Sequence, residues 1–433
     1  MRAIGMGRRL PLRIAVACLA LFSAGLPAAA ADSVPAAAPE APATSAPPAA
    51  PSFPPPSART GPRVSLVTIL PGKSLYSSFG HTAIRVVEDG TDILYNYGLS
   101  AHPFDLRFAL GMLAGRMEFM VGIIDTRFAL DFYSRVENRT IIEQELGLSD
   151  RQKAFVLGRL GHDSLPENRE YNYRYFTDNC ATQVWDILAG EELGIARESP
   201  PPLRRPLRAS VDAVLAGRPW IGLAIGILLG PKADAMPDPG APVFLPGELM
   251  DWTGKALNPD AGKAAALVGE SRVLYKARPE AAAGLDPVLA FLALAVISLA
   301  LGILVRPAHA LARAFDALVF GLAAVAGLAI ALFWLGAGYG EVGMNLNLLW
   351  AGILPLIALV ASRGHPGRRF PSILFRISCA AAGLAALFGG FGIQSVSPAI
   401  RLVATVIMLR TFFRAVPEGF PAFIRAHRAR RGN

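Results

Sequence analysis

The residue best suited to chemistry in this 433-residue chain is Cys180, set in the stretch YNYRYFTDNCATQVWDIL. Asp178 and Asn179 precede a run with helical spacing (Ala181, Val184, Trp185, Leu188). That pattern predicts Asn179 as the cap of a helix with Cys180 in its first turn. The unpaired backbone N–H groups there, and the positive end of the helix dipole, favour a thiolate and are expected to lower the thiol pKa. The same N–H groups can receive an oxyanion once the sulfur attacks a carbonyl. The plainer reading is a small hydrophobe tucked under a helix N-terminus.

A thiol nucleophile wants a histidine, and the chain has six. His81 opens HTAIRVVED, whose β-branched, alternating pattern predicts a strand. A second strand, DILYNYG, follows the turn Glu88-Asp89-Gly90. A rigid strand positions a general base better than a loop does. On the paired strand either Asn96 or Tyr97 can orient the imidazole, completing a Cys–His–polar set. An ordinary structural histidine fits the same pattern. His102 and His162 lie in polar loops, whereas His309, His365 and His427 fall in loops or a tail expected on the other side of a membrane.

That membrane is read from composition. Hydrophobic residues make up 53% of the chain and charged ones only 17%, against about 25% in ordinary soluble domains. Arg2, Arg8, Arg9 and Arg13 precede the apolar run Ile14–Leu26 and the small-residue stretch PAAAAD, the pattern of a signal peptide over residues 1–31. Ala15 stands where a lipobox before Cys18 would want Leu, which argues against lipidation there. Residues 32–62 are mostly Pro, Ala and Ser, an expected disordered linker. A periplasmic domain is expected over 63–283 and five transmembrane helices within 284–415: 287–305, 317–335, 346–361, 372–392 and 399–413. Arg306 and Arg313, the loop RGHPGRRF, and the tail 416–433 are basic, while GYGEVGMN and the loop around QSVSP carry no Lys or Arg. This alternation predicts an outside N-terminal domain and a cytoplasmic C-terminus, in a multi-pass protein of the bacterial inner membrane. It also assigns the net charge of +9 to membrane orientation, and nucleic acid is not an expected partner. With Cys18 in the signal and Cys379 in a span, Cys180 is the one exported thiol, so no disulfide is expected in that domain. No spacing suggests a metal site, a nucleotide loop or a cofactor.

The stretch from about Val64 to Ala256 resembles the periplasmic-domain family of the bacterial lipoprotein N-acyltransferase Lnb. The matching pieces are SLVTILPGKSLYSSFGHTAIRV, LYNYG, ENRTIIEQEL, PENREYNYRYFTDNCATQVWD, PLRASVDAVL, PWIGLAIGILLG and FLPGEL. The C-terminal block, with NLNLLW after its second span, is similar to full-length relatives. The resemblance implies an α+β periplasmic domain with a circularly permuted papain-like fold, as in lecithin–retinol acyltransferases, followed by an all-α membrane domain of about five helices. It makes Cys180 the nucleophile and His81 its base, with Asn96 or Tyr97 as the third partner.

The implied chemistry is acyl transfer through a Cys180 thioester. The donor is a phospholipid or the lipoprotein's own diacylglyceryl group; the acceptor is the amine of the lipoprotein N-terminus. Arg139, Arg169 and Arg208 lie in the matching motifs and can bind phosphate or form structural ion pairs. Asn345 and Asn347, with Glu341, sit in an outside loop where they can hold a head group or serve as ordinary interfacial residues. Trp220–Leu229 is apolar but too short to span, fitting a buried core segment, an acyl groove or a dip into the leaflet. Two other classes remain: a cell-wall cysteine amidase or peptidase, and a non-catalytic lipoprotein-handling factor.

Overall fold

The computed structural model describes residues 61–100, 105–262, 265–279, 284–362, 369–389 and 391–416. The expected signal peptide, nearly all of the linker, His102, His365, His427 and the basic tail beyond Val416 lie outside them. Packing divides the chain into two units. The first runs to Arg218 and resumes over Met236–Ala282; the second comprises Pro219–Ala235 and the chain from Ala283.

The first unit is built on a seven-stranded sheet of order β6-β4-β3-β2-β1-β5-β7. Its strands are β1 (Arg63–Ile69), β2 (His81–Glu88), β3 (Thr91–Ser100), β4 (Glu118–Asp125), β5 (Ile141–Leu146), β6 (Glu170–Asn172) and β7 (Val268–Tyr275). Every pairing in it is antiparallel. The β2–β3 hairpin closes at Glu88↔Thr91 through Asp89 and Gly90, both at positive φ. Asp-Gly is the sequence that such a two-residue turn demands.

Both faces of the sheet are covered. On one face Leu66, Ile84, Val86 and Tyr97 pack against Val156 and Leu160 of α1 (Asp150–Asp163) and Val184, Ile187 and Leu188 of α2 (Cys180–Leu188). Burying each large aliphatic side chain contributes about 1.5–3 kcal/mol. On the other face Val67, Ile69, Ala83 and Leu94 pack against Ala129, Leu130 and Tyr133. Two further helices, α3 (Leu207–Val214) and α5 (Pro246–Thr253), complete this unit; between them the chain forms α4 (Pro219–Leu228), which groups with the second unit.

The second unit is helical. Its elements after α4 are α6 (Pro287–Leu304), α7 (Ala310–Ala331), α8 (Leu354–Ala361), α9 (Arg369–Phe388) and α10 (Pro398–Ala415). Among the described residues, three helices are long and apolar enough to cross a membrane: Pro287–Leu304, Ala310–Gly336 and Arg369–Phe388. Two of the five expected spans differ from these. The stretch 346–361 is broken, a 3-10 turn at Leu346–Leu349 preceding α8, whose first turn holds Pro355; proline cannot continue an upstream helix without losing a backbone bond. Helix α10 is 18 residues long but carries Arg401, Arg410 and Arg414.

The polar groups of this unit are matched internally. Asp316 of α7 is fully buried and accepts from Arg410 Nε at 2.6 Å and Arg414 Nε at 2.5 Å. Arg410 also donates to Ser298 O of α6 at 3.0 Å, so one charge cluster ties three helices. Buried charge in an apolar bundle persists only when paired in this way. Gly327 of α7 meets the Ala351 backbone so closely that a Cβ would stand 1.9 Å from its carbonyl oxygen, the close approach that small residues permit between membrane helices.

Candidate active site

Cys180 is the first residue of α2, and the local sequence dictates the cap. Asn179 Oδ1 accepts from Ala181 N at 2.8 Å and Thr182 N at 3.0 Å, while Thr182 Oγ1 accepts from Asn179 N at 2.7 Å. This reciprocal box satisfies N–H groups that a helix otherwise leaves open. The Asn179 amide donates in turn to Tyr175 O and Phe244 O, which pins the cap to two loops.

His81 is the first residue of β2 and is buried, as is Cys180. Its Nε2 donates to Asn96 Oδ1 on β3 at 2.5 Å. An amide oxygen only accepts, so Nε2 carries the proton and Nδ1 keeps the free lone pair. The register explains the choice of partner. Ile84 pairs Tyr95, which sets Asn96 opposite Ala83 on the face that His81 shares. Tyr97 points to the other face and donates to Asp163 Oδ2 at 2.9 Å. Of the two residues left open by the sequence, Asn96 is the one at the imidazole.

The backbone N–H of Thr82, next to His81, approaches the Cys180 sulfur, as do those of Ala181 and Cys180 itself. The start of β2 and the start of α2 therefore meet at one end of the sheet. Burial nonetheless dominates: it pushes the Cys180 thiol up to about 11, against the pull of these N–H groups and of Arg139. Burial, aided by the positive charge of Arg139, pushes His81 down to about 4, and the Asn96 bond opposes this only in part. The helix N-terminus alone predicts a thiolate; burial instead favours a neutral thiol at Cys180 and a neutral imidazole at His81. Desolvation of the whole pocket cannot be read from the helix cap.

The other expected site residues are placed as follows. Arg139 is buried and donates to Leu70 O, Ile69 O and Glu137 Oε2, locking the end of β1, with its guanidinium over the Tyr133 ring that neighbours His81. Arg208 is buried in the first turn of α3, and Arg169 is exposed in the turn before β6. His162 is exposed and engaged by Asp163 and Asn168. His309 caps α7 by accepting from Leu311 N.

Asn345 and Asn347 belong to the helical unit, and their amides are taken up there. Asn345 Nδ2 donates to Ile227 O and Leu228 O, both at 2.9 Å; Asn347 Nδ2 donates to Ile227 O at 2.9 Å. Gln394 Nε2 reaches Leu229 O and Asn345 Oδ1. These carbonyls are the unpaired C-terminal groups of α4, which have no water to turn to in an apolar bundle. The geometry gives the two asparagines a capping task.

Residues 60–207 match the family model of the Lnb N-terminal periplasmic domain, and residues 279–417 match that of the Lnb transmembrane domain. The chain belongs to the Lnb family. Neither a curated protein nor a solved structure matches it. Lnb-family membership and the apolar helices make this a membrane protein with a periplasmic domain. His81, Asn96, Arg139 and Cys180 all fall inside the Lnb periplasmic match, whereas α4 lies between the two matched regions. The Thr82 N–H contact and a break in the β3–β4 ladder at Gly98 lie outside the sequence reading. A glycine within a strand pattern is the signal that points to such a break.

Proposed function

We propose that this Lnb-family protein is a membrane-bound cysteine acyltransferase that moves a fatty acyl chain to the N-terminal amine of diacylglyceryl-modified lipoproteins. The observation that supports the reading is that the capped helix N-terminus bearing Cys180 meets the start of β2 through the Thr82 N–H, next to the His81 that bonds Asn96, inside an Lnb periplasmic domain. In this reading the periplasmic domain is a circularly permuted papain-like thiol domain. Five spans hold it at the membrane, with the C-terminus in the cytoplasm.

The Cys180 sulfur attacks the ester carbonyl of the donor lipid as its proton passes to His81 Nδ1. Asn96 holds the Nε2 proton, keeping the imidazole in the tautomer that can accept. The backbone N–H of Cys180 faces the developing oxyanion. Collapse breaks the ester bond; the leaving lipid alkoxide takes the proton from His81, and the acyl chain stays on sulfur as a thioester. The lipoprotein amine then attacks the thioester, loses a proton through His81, and releases Cys180 as a thiol. A neutral pair suits this cycle, since transfer from thiol to imidazole is then coupled to attack in a desolvated pocket. Joining the thiol domain to membrane helices raises its effective concentration toward two lipid-anchored substrates.

The test is to replace Cys180 by Ala and by Ser in cells that depend on this protein and to examine lipoprotein N-termini by mass spectrometry. Loss of N-acylation in both variants, with a fatty-acyl adduct on Cys180 in the wild type, is expected. Unchanged N-acylation in Cys180→Ala would overturn the proposal, and altered muropeptides without acyl changes would favour a wall hydrolase.

A further inference from the structure

The sheet is interrupted beside Cys180. Strands β3 and β4 pair through Tyr97↔Val121 and resume at Leu99↔Met120, leaving Gly98 out of the ladder at φ +92°. A Cβ on Gly98 would stand 3.8 Å from Cys180 Cβ, 3.6 Å from Tyr171 Oη and 3.5 Å from the Tyr173 ring. The nucleophile, one phenol and one aromatic ring thus converge on the space that a side chain at position 98 would fill.

Tyr171 lies on the edge strand β6, paired with Phe119 of β4. Its hydroxyl is buried and has no hydrogen-bond partner among the described residues. Buried tyrosine hydroxyls usually find one, because a buried polar group left unmet loses its water without a replacement partner. The neighbouring aromatics are committed otherwise. Tyr97 donates to Asp163, and Tyr173 stacks on Phe119 at 4.5 Å and meets Tyr175 edge-on. Burial, reinforced by the nearby Cys180, raises the Tyr171 pKa well above 10, so the group stays a donor throughout the neutral range.

We propose that Tyr171 is a further catalytic residue, whose hydroxyl donates a hydrogen bond to the oxygen of the acyl carbonyl under attack by Cys180. The inference rests on the acyl-transfer reading and deepens it. Attack turns that carbonyl oxygen into an oxyanion, and collapse of the intermediate returns it to a carbonyl; Tyr171 keeps its proton throughout. A donor already fixed and desolvated needs no reorganisation when the charge appears, which is the condition under which it stabilises a transition state most. Gly98 keeps the space open, because any larger residue would place its Cβ among the reacting groups.

The experiment uses Tyr171→Phe in the full-length protein, purified in detergent with a phospholipid donor, and reads three quantities. These are the single-turnover rate of Cys180 acylation by intact-protein mass, its dependence on donor concentration, and the melting temperature. The variant keeps the ring and removes only the unmet hydroxyl. Acylation is expected to slow about tenfold to a hundredfold at saturating donor, with the half-saturating donor concentration and melting temperature unchanged. A saturated rate within twofold of wild type overturns the assignment, as does a loss confined to half-saturation or matched by a fall in melting temperature. If the wild type forms no Cys180 adduct, the acyl-transfer reading itself falls and this assignment falls with it.

Discussion

His81 and Asn96 are joined across the β2–β3 hairpin by a buried bond, Nε2 to Oδ1 at 2.5 Å, and Asn96 has no accessible surface at all. The bond fixes which imidazole nitrogen carries the proton. Asn96→Ala should leave His81 Nε2–H buried and unmet, at a cost of about 1–3 kcal/mol, and should free the tautomer. Activity should fall on the order of a hundredfold. Steady-state N-acylation assays beside thermal melts would check this, and an active Asn96→Ala would remove Asn96 from the machinery. Asn96→Asp should instead place a carboxylate against His81 and raise its pKa.

The pH dependence follows from burial. With His81 at about 4 rather than 6.5, its neutral form persists through mildly acidic pH. The acid limb of kcat/KM should therefore fall below pH 5, well under that of a free imidazole, and Asn96→Asp should move it upward. The native site refuses a proton that the unfolded chain accepts. Stability should accordingly be full above pH 6.5 and decline as pH drops toward 4, by about 3 kcal/mol at the limit. Cys180, at about 11 against 9.0, has the opposite sign: stability is full below pH 9 and declines as pH rises through 11. Alkylation of Cys180 by iodoacetamide at neutral pH should be slower than that of a free cysteine. A fast reaction there would show a standing thiolate and contradict the burial argument.

What the sequence made legible was local. The hairpin turn at Asp89-Gly90, the strand beginning at His81 and the Asn179 cap follow from alternation, turn chemistry and capping preference, which act over a few residues. The choice between Asn96 and Tyr97 was not legible. Adjacent residues on a strand face opposite sides, and only the register with β2 decides which side holds the imidazole. The raised thiol pKa was not legible either, because a helix terminus is a local feature and burial is not. The destination of Trp220–Leu229 was hidden for the same reason. Its composition suits a core segment, an acyl groove or a membrane-edge helix, and only packing assigns α4 to the helical unit.

That assignment yields a test of Asn345 and Asn347. Their amides satisfy the last carbonyls of α4, so Asn345→Leu should leave two backbone acceptors without that donor. The cost should be about 1–3 kcal/mol for each acceptor left unmet, seen as a lower melting temperature of the detergent-solubilised protein. A head-group contact would behave differently, raising KM for the lipid donor while leaving the melting temperature alone. The second pattern would refute the capping role.

Asp316 offers the sharper test of what holds the helical unit together. It faces Arg410 and Arg414 with no exposure of its own, and Arg410 also bonds Ser298 O. Asp316→Asn keeps the shape but leaves two guanidinium groups without their counter-charge. Removing one partner of a buried ion pair typically costs about 3–5 kcal/mol, because the remaining charge stays desolvated. The melting temperature should drop markedly, and catalysis by the periplasmic domain in protein that remains folded should not change. Replacing all three together, Asp316→Leu with Arg410→Met and Arg414→Met, removes the charges along with their desolvation and should recover much of the loss. If Asp316→Asn melts like the wild type, the cluster does not brace α6, α7 and α10. If the triple variant melts no higher than the single one, loss of the Arg410 bond to Ser298 O offsets what removing the buried charges regains.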